Sequence, residues 1–296
     1  MDLIAYDPHT DAVWVPAGNT GAVDVLDVAT GKVTQIGGFA TAEIEREGRK
    51  RVVGPSAASV GDTGVYIGNR ADSSVCLIDE KTLATGACVT LDARPDGIAY
   101  VAKAHEVWVT TPGDKSIRVL DASTLAQKSK IPLEGSPEGY AVDAQRSRFY
   151  TNLEDKDQTL SLDLESHAVI ATWASKCGED GPHGIRLDEH AGHLFIACSA
   201  KVEAMDIAHD GAILGSVETG DGVDDFDYVP SRHTLYIGAA RAARLTIASV
   251  ADNGALAVAA TVPTQAGARN GVADARGTMY LAHGKGSELL AVSPKP

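Results

Sequence analysis

The sequence that decides the fold runs Pro95-Asp96-Gly97-Ile98-Ala99-Tyr100, then Trp108-Val109-Thr110-Thr111, then Ile117-Arg118-Val119-Leu120-Asp121. β-Branched, aliphatic and aromatic residues dominate these segments, as is typical of strands that pack on both faces. Turn-forming residues such as Pro112-Gly113-Asp114-Lys115 separate them. The stretch therefore predicts a small antiparallel sheet, whose fourth strand is expected at residues 129–133.

This stretch recurs seven times along the 296 residues. The aromatic residue that opens the second strand of each copy falls at Trp14, Tyr66, Trp108, Phe149, Phe195, Tyr236 and Tyr280. The residue that closes the third strand has the same period and is Asp27, Asp79, Asp121, Asp163, Asp206, Ser249 and Ser293. A repeat of about 40–50 residues with four strands per copy is the signature of a β-propeller. We therefore predict an all-β, seven-bladed β-propeller with four-stranded blades.

The repeat also predicts the domain organisation, which is a single propeller domain. The blades are expected at about residues 1–40, 54–92, 94–134, 136–175, 181–219, 222–262 and 267–296, with a charged insertion at 41–53. The insertion is either a loop that reaches over one face or an ordinary solvated charged loop. The last copy stops after its third strand, so we expect a blade without its outer strand. Either that blade has three strands, or an upstream segment such as an export signal has been trimmed.

The second strands resemble those of the YVTN-repeat β-propellers. The matching segments are Trp14-Val15-Pro16-Ala17, Tyr66-Ile67-Gly68-Asn69, Trp108-Val109-Thr110-Thr111, Phe149-Tyr150-Thr151-Asn152, Phe195-Ile196-Ala197-Cys198, Tyr236-Ile237-Gly238-Ala239 and Tyr280-Leu281-Ala282-His283. The third-strand ending Val25-Leu26-Asp27-Val28-Ala29-Thr30-Gly31 is similar to the family's "V-D-T" type of ending. The resemblance spans essentially the whole chain and implies the propeller fold. It implies no particular activity, because the family includes surface, periplasmic and uncharacterised members.

The formal net charge of −14 disfavours general nucleic-acid binding, because a field of that sign repels the phosphate backbone. The charge has two interpretations, which are simple solubility and a site that attracts cations. The sequence contains no apolar run of membrane-spanning length, so no membrane span is expected. The N-terminus shows neither the basic region nor the long apolar core of a signal peptide.

The four cysteines form two pairs, each within one copy of the repeat. Cys76 and Cys88 flank one predicted hairpin almost symmetrically, and Cys177 and Cys198 lie at the same edge of the fifth blade. We predict the disulfides Cys76–Cys88 and Cys177–Cys198, which would indicate a periplasmic or extracellular location. Two alternatives stay open: a soft-metal site of Cys177, Cys198 and His183, and buried free thiols, which would leave a cytoplasmic location possible.

Candidate functional residues occupy two loop positions, because loops on a rigid scaffold carry function. The lead position, aligned with Asp96 just before the first strand, holds Asp2, Ser56, Asp96, Glu138, His183, Asp224 and Asn270. The trailing position, which ends each YVTN-like match, holds Ala17, Asn69, Thr111, Asn152, Cys198, Ala239 and His283. The two lie 13 to 15 residues apart in each copy, so we expect both at one mouth of the propeller channel.

Side chains at the lead position suit a hard cation, since carboxylate and amide oxygens are its preferred ligands. One interpretation is a site for calcium or another divalent metal, formed by Asp96, Glu138 and Asp224 with Asn152 beside them. The other is that Asp and Glu before Gly only cap turns. Small-molecule contacts at the same mouth are predicted for Asn69, Arg70, Asn152, Arg241, Arg269, Asn270 and His283.

These features favour a secreted or periplasmic propeller that binds a small ligand, an ion or a protein partner at this mouth without catalysis. The first alternative is a metal-dependent hydrolase of lactone type, with His183 as base. Its layout is similar to that of gluconolactonase-like propellers. The second alternative is a protein-interaction scaffold. Phosphate-loop, nucleophile-elbow, HExxH and dinucleotide motifs are absent from the sequence, which excludes the commonest enzyme classes.

Overall fold

The computed structural model of the chain describes residues 3–46 and 48–293. In this part of the chain the secondary structure is antiparallel β-sheet with short 3-10 turns, and no α-helix occurs. The chain divides into two compact units, of which the first ends at Glu134 and the second begins at Gly135. Asp2, at the lead position of blade one, and Glu47, in the insertion, lie outside the described residues.

The first unit contains three four-stranded sheets and one separate hairpin. Blade one comprises β1 (Ala5–Asp7), β2 (Ala12–Pro16), β3 (Val23–Asp27) and β4 (Val33–Ile36), and the hairpin comprises β5 (Ala42–Arg46) and β6 (Arg49–Val53). Blade two comprises β7 (Pro55–Val60), β8 (Gly64–Asn69), β9 (Ser74–Asp79) and β10 (Thr85–Thr90). Blade three comprises β11 (Ile98–Val101), β12 (Glu106–Thr111), β13 (Ser116–Asp121) and β14 (Gln127–Pro132).

The second unit contains three four-stranded sheets and one sheet with three described strands. Blade four comprises β15 (Pro137–Asp143), β16 (Arg148–Leu153), β17 (Gln158–Asp163) and β18 (Val169–Ala174). Blade five comprises β19 (Ile185–Asp188), β20 (His193–Ala197), β21 (Lys201–Asp206) and β22 (Ala212–Glu218). Blade six comprises β23 (Phe226–Val229), β24 (Thr234–Ala239), β25 (Arg244–Val250) and β26 (Leu256–Pro263). Blade seven comprises β27 (Arg269–Ala273), β28 (Met279–His283) and β29 (Glu288–Val292).

The fold is a seven-bladed β-propeller, so the sequence prediction of fold class is confirmed. Each four-stranded blade is a meander in which sequential strands pair antiparallel. The 3-10 turns lie in the strand connections, at Gly18–Thr20, Ala102–Ala104, Pro112–Asp114, Glu154–Lys156 and Pro230–Arg232. In the described part of the chain, no helix has the length and apolar character that crossing a bilayer would require.

Second strands form the core of each unit, and nearly all of their residues are buried. Trp14, Trp108, Phe149 and Phe195, which mark the repeat, are all fully buried. Outer strands such as β18 are largely exposed. Burial is greatest in the second strands and least in the outer strands. The loops at the blade ends therefore remain as the places for polar chemistry.

The insertion after blade one is a β-hairpin, whereas the sequence suggested a charged loop. Strands β5 and β6 pair over their whole length, with Ile44 opposite Arg51 and Glu43 opposite Val52. The Lys50 ammonium lies 2.7 Å from Glu43 Oε1. Cross-strand pairing therefore satisfies the backbone of this charged segment.

Both predicted disulfides are present, Cys76–Cys88 and Cys177–Cys198. Cys76 and Cys88 are direct partners in the register of β9 and β10. Since no cysteine is free, the alternatives of a soft-metal site and of free thiols are excluded for this structure. Disulfides persist in oxidising compartments, so the two bonds indicate a location outside the cytoplasm.

Candidate metal centre

Three lead-position side chains of the second unit come together. One ligand atom each of Glu138, His183 and Asp224 lies within 4.8 Å of the other two. Glu138 is the second residue of β15 in blade four, His183 and Asp224 lie two residues before the first strands of blades five and six, and all three are partly buried. A nitrogen and two carboxylate oxygens in this arrangement can bind a cation.

Backbone hydrogen bonds between adjacent blades hold the three residues in place. The Gly139 N–H donates to the His183 carbonyl at 3.2 Å, and the Gly184 N–H donates to the Asp224 carbonyl at 2.8 Å. A Cβ at position 139 would lie 2.5 Å from the His183 carbonyl oxygen, and one at 184 would lie 2.4 Å from Asp225 Oδ1. The glycines after Glu138 and His183 therefore permit close approach of the next blade. This is a different reason from the turn capping that the sequence suggested.

Amide side chains at the two loop positions reinforce this arrangement. Asn152 is fully buried, donates from Nδ2 to the His183 carbonyl at 2.7 Å, and accepts from the Thr159 hydroxyl at 2.7 Å. Asn270 donates from Nδ2 to Asp224 Oδ2 at 2.6 Å and accepts the Asp225 N–H at 3.0 Å. Both residues were predicted to contact a ligand, and in this structure both of their amide groups bind protein.

His183 lies between two polar side chains, and each approaches a different ring nitrogen. Its Nε2 is 3.4 Å from the Ser199 hydroxyl, and its Nδ1 is 3.5 Å from Glu154 Oε1. Nδ1 is buried and makes no hydrogen bond among the described residues. The disulfide Cys177–Cys198 closes the loop that leads to His183. A buried ring nitrogen without a hydrogen bond is more typical of a histidine that binds an ion than of a core histidine whose hydrogen bonds are all made within the protein.

A buried charge cluster lies next to this group. Arg186 donates from one terminal nitrogen to Asp225 Oδ2 at 2.8 Å and from Nε to Asp227 Oδ1 at 3.2 Å. Burial raises the pKa of Asp225 to about 6, although the Arg186 charge opposes the shift. Burial likewise raises the pKa of Asp227. The other oxygen of Asp225 is buried and has no hydrogen-bond partner among the described residues.

Sequence reasoning missed this cluster, although the repeat contains its signal. Each first strand has one residue that pairs directly with the marker aromatic of the second strand. In blades one to seven this residue is Ala5, Ser59, Ala99, Val142, Arg186, Asp227 and Val272. Only blades five and six carry a charge there, and the two charges are of opposite sign. Comparison of that position across the copies would have predicted the ion pair.

Predicted site residues of the first unit lie in a different environment. Arg70 forms a hydrogen-bonded ion pair with Asp96, so the chain itself supplies a cation to that lead-position acid. Asn69 is buried, donates from Nδ2 to the Ala40 carbonyl at 3.0 Å, and accepts the Ala71 N–H at 2.9 Å. Like Asn152, it holds backbone in place.

The remaining predicted residues of the second unit also have protein partners. Arg241 binds Asp221 through two hydrogen bonds of 2.6 Å, and both side chains are mostly exposed. Arg269 lies 3.4 Å from Asp224 Oδ2, at the edge of the metal-ligating group. His283 Nδ1 lies 3.0 Å from Glu288 Oε1 within blade seven.

Comparisons with known proteins support the fold and no family assignment. No family model matches the chain, and no curated protein matches it by sequence. Solved structures do match over nearly the whole chain. A chain of the mitotic checkpoint complex has 13% identity and a TM-score of 0.78, covering 99% of this chain and 90% of its own length.

Two further matches have similar statistics. Hydrazine synthase of Kuenenia stuttgartiensis has 15% identity and a TM-score of 0.79, covering 98% of this chain and 94% of its own length. The β-propeller domain of Cps50 (Swd1) from Myceliophteria thermophila has 9% identity and a TM-score of 0.75, covering 99% and 97%. At these identities the likeness establishes the propeller fold alone.

Proposed function

We propose that this protein is an exported propeller that binds a divalent transition-metal ion through Glu138, His183 and Asp224, and a small ligand or a partner at that ion. The observation that carries the proposal is the meeting of three potential ligand atoms within 4.8 Å, from lead positions of three successive blades. The buried His183 Nδ1, which has no hydrogen-bond partner among the described residues, supports it.

The ligand types favour an ion of the zinc class over calcium. Calcium takes six to eight oxygen ligands, whereas imidazole nitrogen is typical of zinc and other first-row transition metals. Ligand atoms on tetrahedral zinc lie about 3.4 Å apart. Since the three ligand atoms lie within 4.8 Å of one another, each separation needs to close by at most about 1.4 Å on binding.

Three protein ligands leave coordination positions for water or for an anionic group of a bound molecule. Since His183 supplies one of the ligands in this proposal, it does not act as the general base that a lactone hydrolase would need. The non-catalytic function is therefore our proposal. The disulfides and the propeller fold also fit a secreted protein that acts through interactions with other proteins.

We further propose that the chain is a propeller of the YVTN-repeat type, despite the absence of a matching family model. Support comes from the seven marker aromatics, which all lie in second strands. In this proposal the seven blades form one domain, and each blade has the residue range that the repeat predicts.

Zinc titration of the metal-stripped protein, followed by calorimetry, tests the proposed ion. His183→Ala should weaken zinc binding to this centre by at least about 100-fold, because it removes one of only three protein ligands. Asp96→Asn is the matched control, since Asp96 occupies the same repeat position but pairs with Arg70. It should leave zinc binding unchanged.

Two outcomes would contradict the proposal: wild-type protein that binds neither zinc, manganese nor cobalt, or His183→Ala protein that binds zinc as wild type does. Zinc-dependent hydrolysis of a lactone that is lost in Glu138→Gln would instead support the hydrolase alternative.

A further inference from the structure

A second group of metal-ligating side chains lies in the first unit, where turns of blades one and two meet. Asp7 ends β1, His9 belongs to the turn between β1 and β2, and Glu80 directly follows β9. The Nδ1 atom of His9 lies 3.2 Å from Glu80 Oε2 and 3.6 Å from Asp7 Oδ1. Both distances are close to the separation of about 3.4 Å between neighbouring ligands on tetrahedral zinc.

Glu80 is an exception to the repeat. The residue after the third-strand marker in blades one to six is Val28, Glu80, Ala122, Leu164, Ile207 and Val250. Five copies place an apolar side chain there, and in three of them it is more than nine-tenths buried. Glu80 is 7% exposed, so its carboxylate occupies a position that packing alone would fill with an apolar group.

Among the described residues, no arginine or lysine forms an ion pair with this cluster. The Glu80 carboxylate has His9 as its one hydrogen-bond partner among the described residues, and the Asp7 carboxylate accepts from the His9 N–H and the Thr10 hydroxyl. In blades four and seven the aspartates equivalent to Asp7 instead pair with an arginine, as in Asp143–Arg146 and Asp274–Arg276.

The local potential favours a cation in this cluster. The carboxylates of Asp7 and Glu80 both approach His9 Nδ1 to within 3.6 Å, so two negative charges meet at one point. A bound divalent ion would neutralise both buried carboxylates more completely than a proton on the imidazole does.

We propose that Asp7, His9 and Glu80 form a second binding site for a divalent transition-metal ion of the zinc class. Asp7 and Glu80 side chains are 0% and 6% exposed and fix the inner wall, while the His9 side chain, 47% exposed, borders solvent and gives the ion access. A bound ion joins the first turn of blade one to the last turn of blade two. The site involves none of the residues of the proposed centre in the second unit.

Counting zinc ions bound per chain tests this proposal. The full-length protein is stripped with a chelator, dialysed against zinc alone, and its metal content and calorimetric isotherm are measured. Glu80→Leu installs the side chain that blade four has at this position, so the variant should fold. Glu80→Gln preserves shape and removes the charge. Each should bind one zinc ion fewer than wild type, or bind it at least about 100-fold more weakly.

His190→Ala is the matched control, because His190 occupies the turn position of His9 in blade five. It should bind as much zinc as wild type. Unchanged zinc stoichiometry and affinity in both Glu80 variants would overturn the proposal and show a simple His9–Glu80 ion pair. The two proposals can be contradicted separately. Loss of one bound zinc ion in His183→Ala but not in the Glu80 variants supports only the centre of the second unit. Loss of one bound zinc ion in the Glu80 variants but not in His183→Ala supports only this site.

Discussion

Each unit contains an arginine held between two aspartates, and the two groups differ in which partner is buried. In the first unit the Arg118 side chain is fully buried on β13, whereas Asp92 and Asp114 are 66% and 31% exposed. In the second unit Arg186 is 25% exposed, whereas Asp225 and Asp227 are 9% and 15% exposed. The same three charges are therefore arranged in opposite ways.

This difference in burial reverses the direction in which the pKa values of the aspartates shift. Hydrogen bonding to Arg118 lowers the pKa of Asp92. Burial acts to raise the pKa of Asp114, but hydrogen bonds from Arg118 and Lys130 hold it well below its usual range. Beside Arg186, burial dominates and raises the pKa of both aspartates. Desolvation therefore outweighs the arginine's charge at Asp225 and Asp227, whereas the arginine's hydrogen bonds prevail at Asp92 and Asp114.

Loss of the second-unit arginine should have the largest effect. Arg186→Met leaves two buried carboxylates without their cation, which should reduce the free energy of unfolding by about 3–5 kcal/mol near pH 8. Because the pKa of Asp225 lies at about 6, above the ordinary aspartate value, protonation favours the folded state as the pH falls. Urea unfolding should therefore show a smaller loss near pH 5. An equal loss at both pH values would contradict this account.

Loss of the first-unit arginine should reduce the free energy of unfolding by a smaller amount. Arg118→Met removes hydrogen bonds to charged groups, but water can solvate the carboxylates left behind, so we expect a loss of about 1–2 kcal/mol by urea unfolding. The loss should not diminish near pH 5, since Asp92 and Asp114 remain ionised there. Arg241→Ala, which breaks an exposed pair, is the control and should leave the unfolding midpoint unchanged. A larger loss than in Arg186→Met would reverse the comparison.

The smallest effect is expected for Asp114→Asn. The depressed pKa of Asp114 means that its ionised form contributes stability above the ordinary aspartate pKa of about 3.9, and that this contribution is lost as the pH falls further. Wild type should exceed the variant by roughly 1 kcal/mol near neutral pH, and the two should converge progressively as the pH falls from about 5 through the folded-state pKa of Asp114. Acid unfolding followed by circular dichroism measures the difference. Curves that stay parallel down to low pH would contradict the assignment.

The sequence was sufficient for the fold because packing constrains every copy of the repeat in the same way. Trp14 and Trp108 mark second strands since a buried second strand needs a large apolar side chain in each blade. The Cys76–Cys88 bond was predictable for a related reason, as the two residues flank one hairpin at matching distances. The hairpin at β5 and β6 was not predicted because its charges hid the pairing of its strands.

The candidate site was only partly predictable. The departures of Glu138, His183 and Asp224 from the repeat indicated where to look, but their separation depends on how closely Gly139 and Gly184 let neighbouring blades approach. Asp96 has the same signal in sequence, yet Arg70, 26 residues earlier, neutralises it. Unlike Arg186 and Asp227, Arg70 and Asp96 occupy different positions in their copies of the repeat, so no single position indicated their pairing and it needed the structure.

The two disulfides have a mechanical consequence. Each joins residues of a single blade and its lead-in, across 12 and 21 positions of chain, and so neither fastens one blade to another. Under a stretching force applied at the ends, the blades remain free to peel away one after another. The bonds withhold about 4 nm and about 7 nm of contour length, and a reducing buffer would release both increments in a single-molecule force trace.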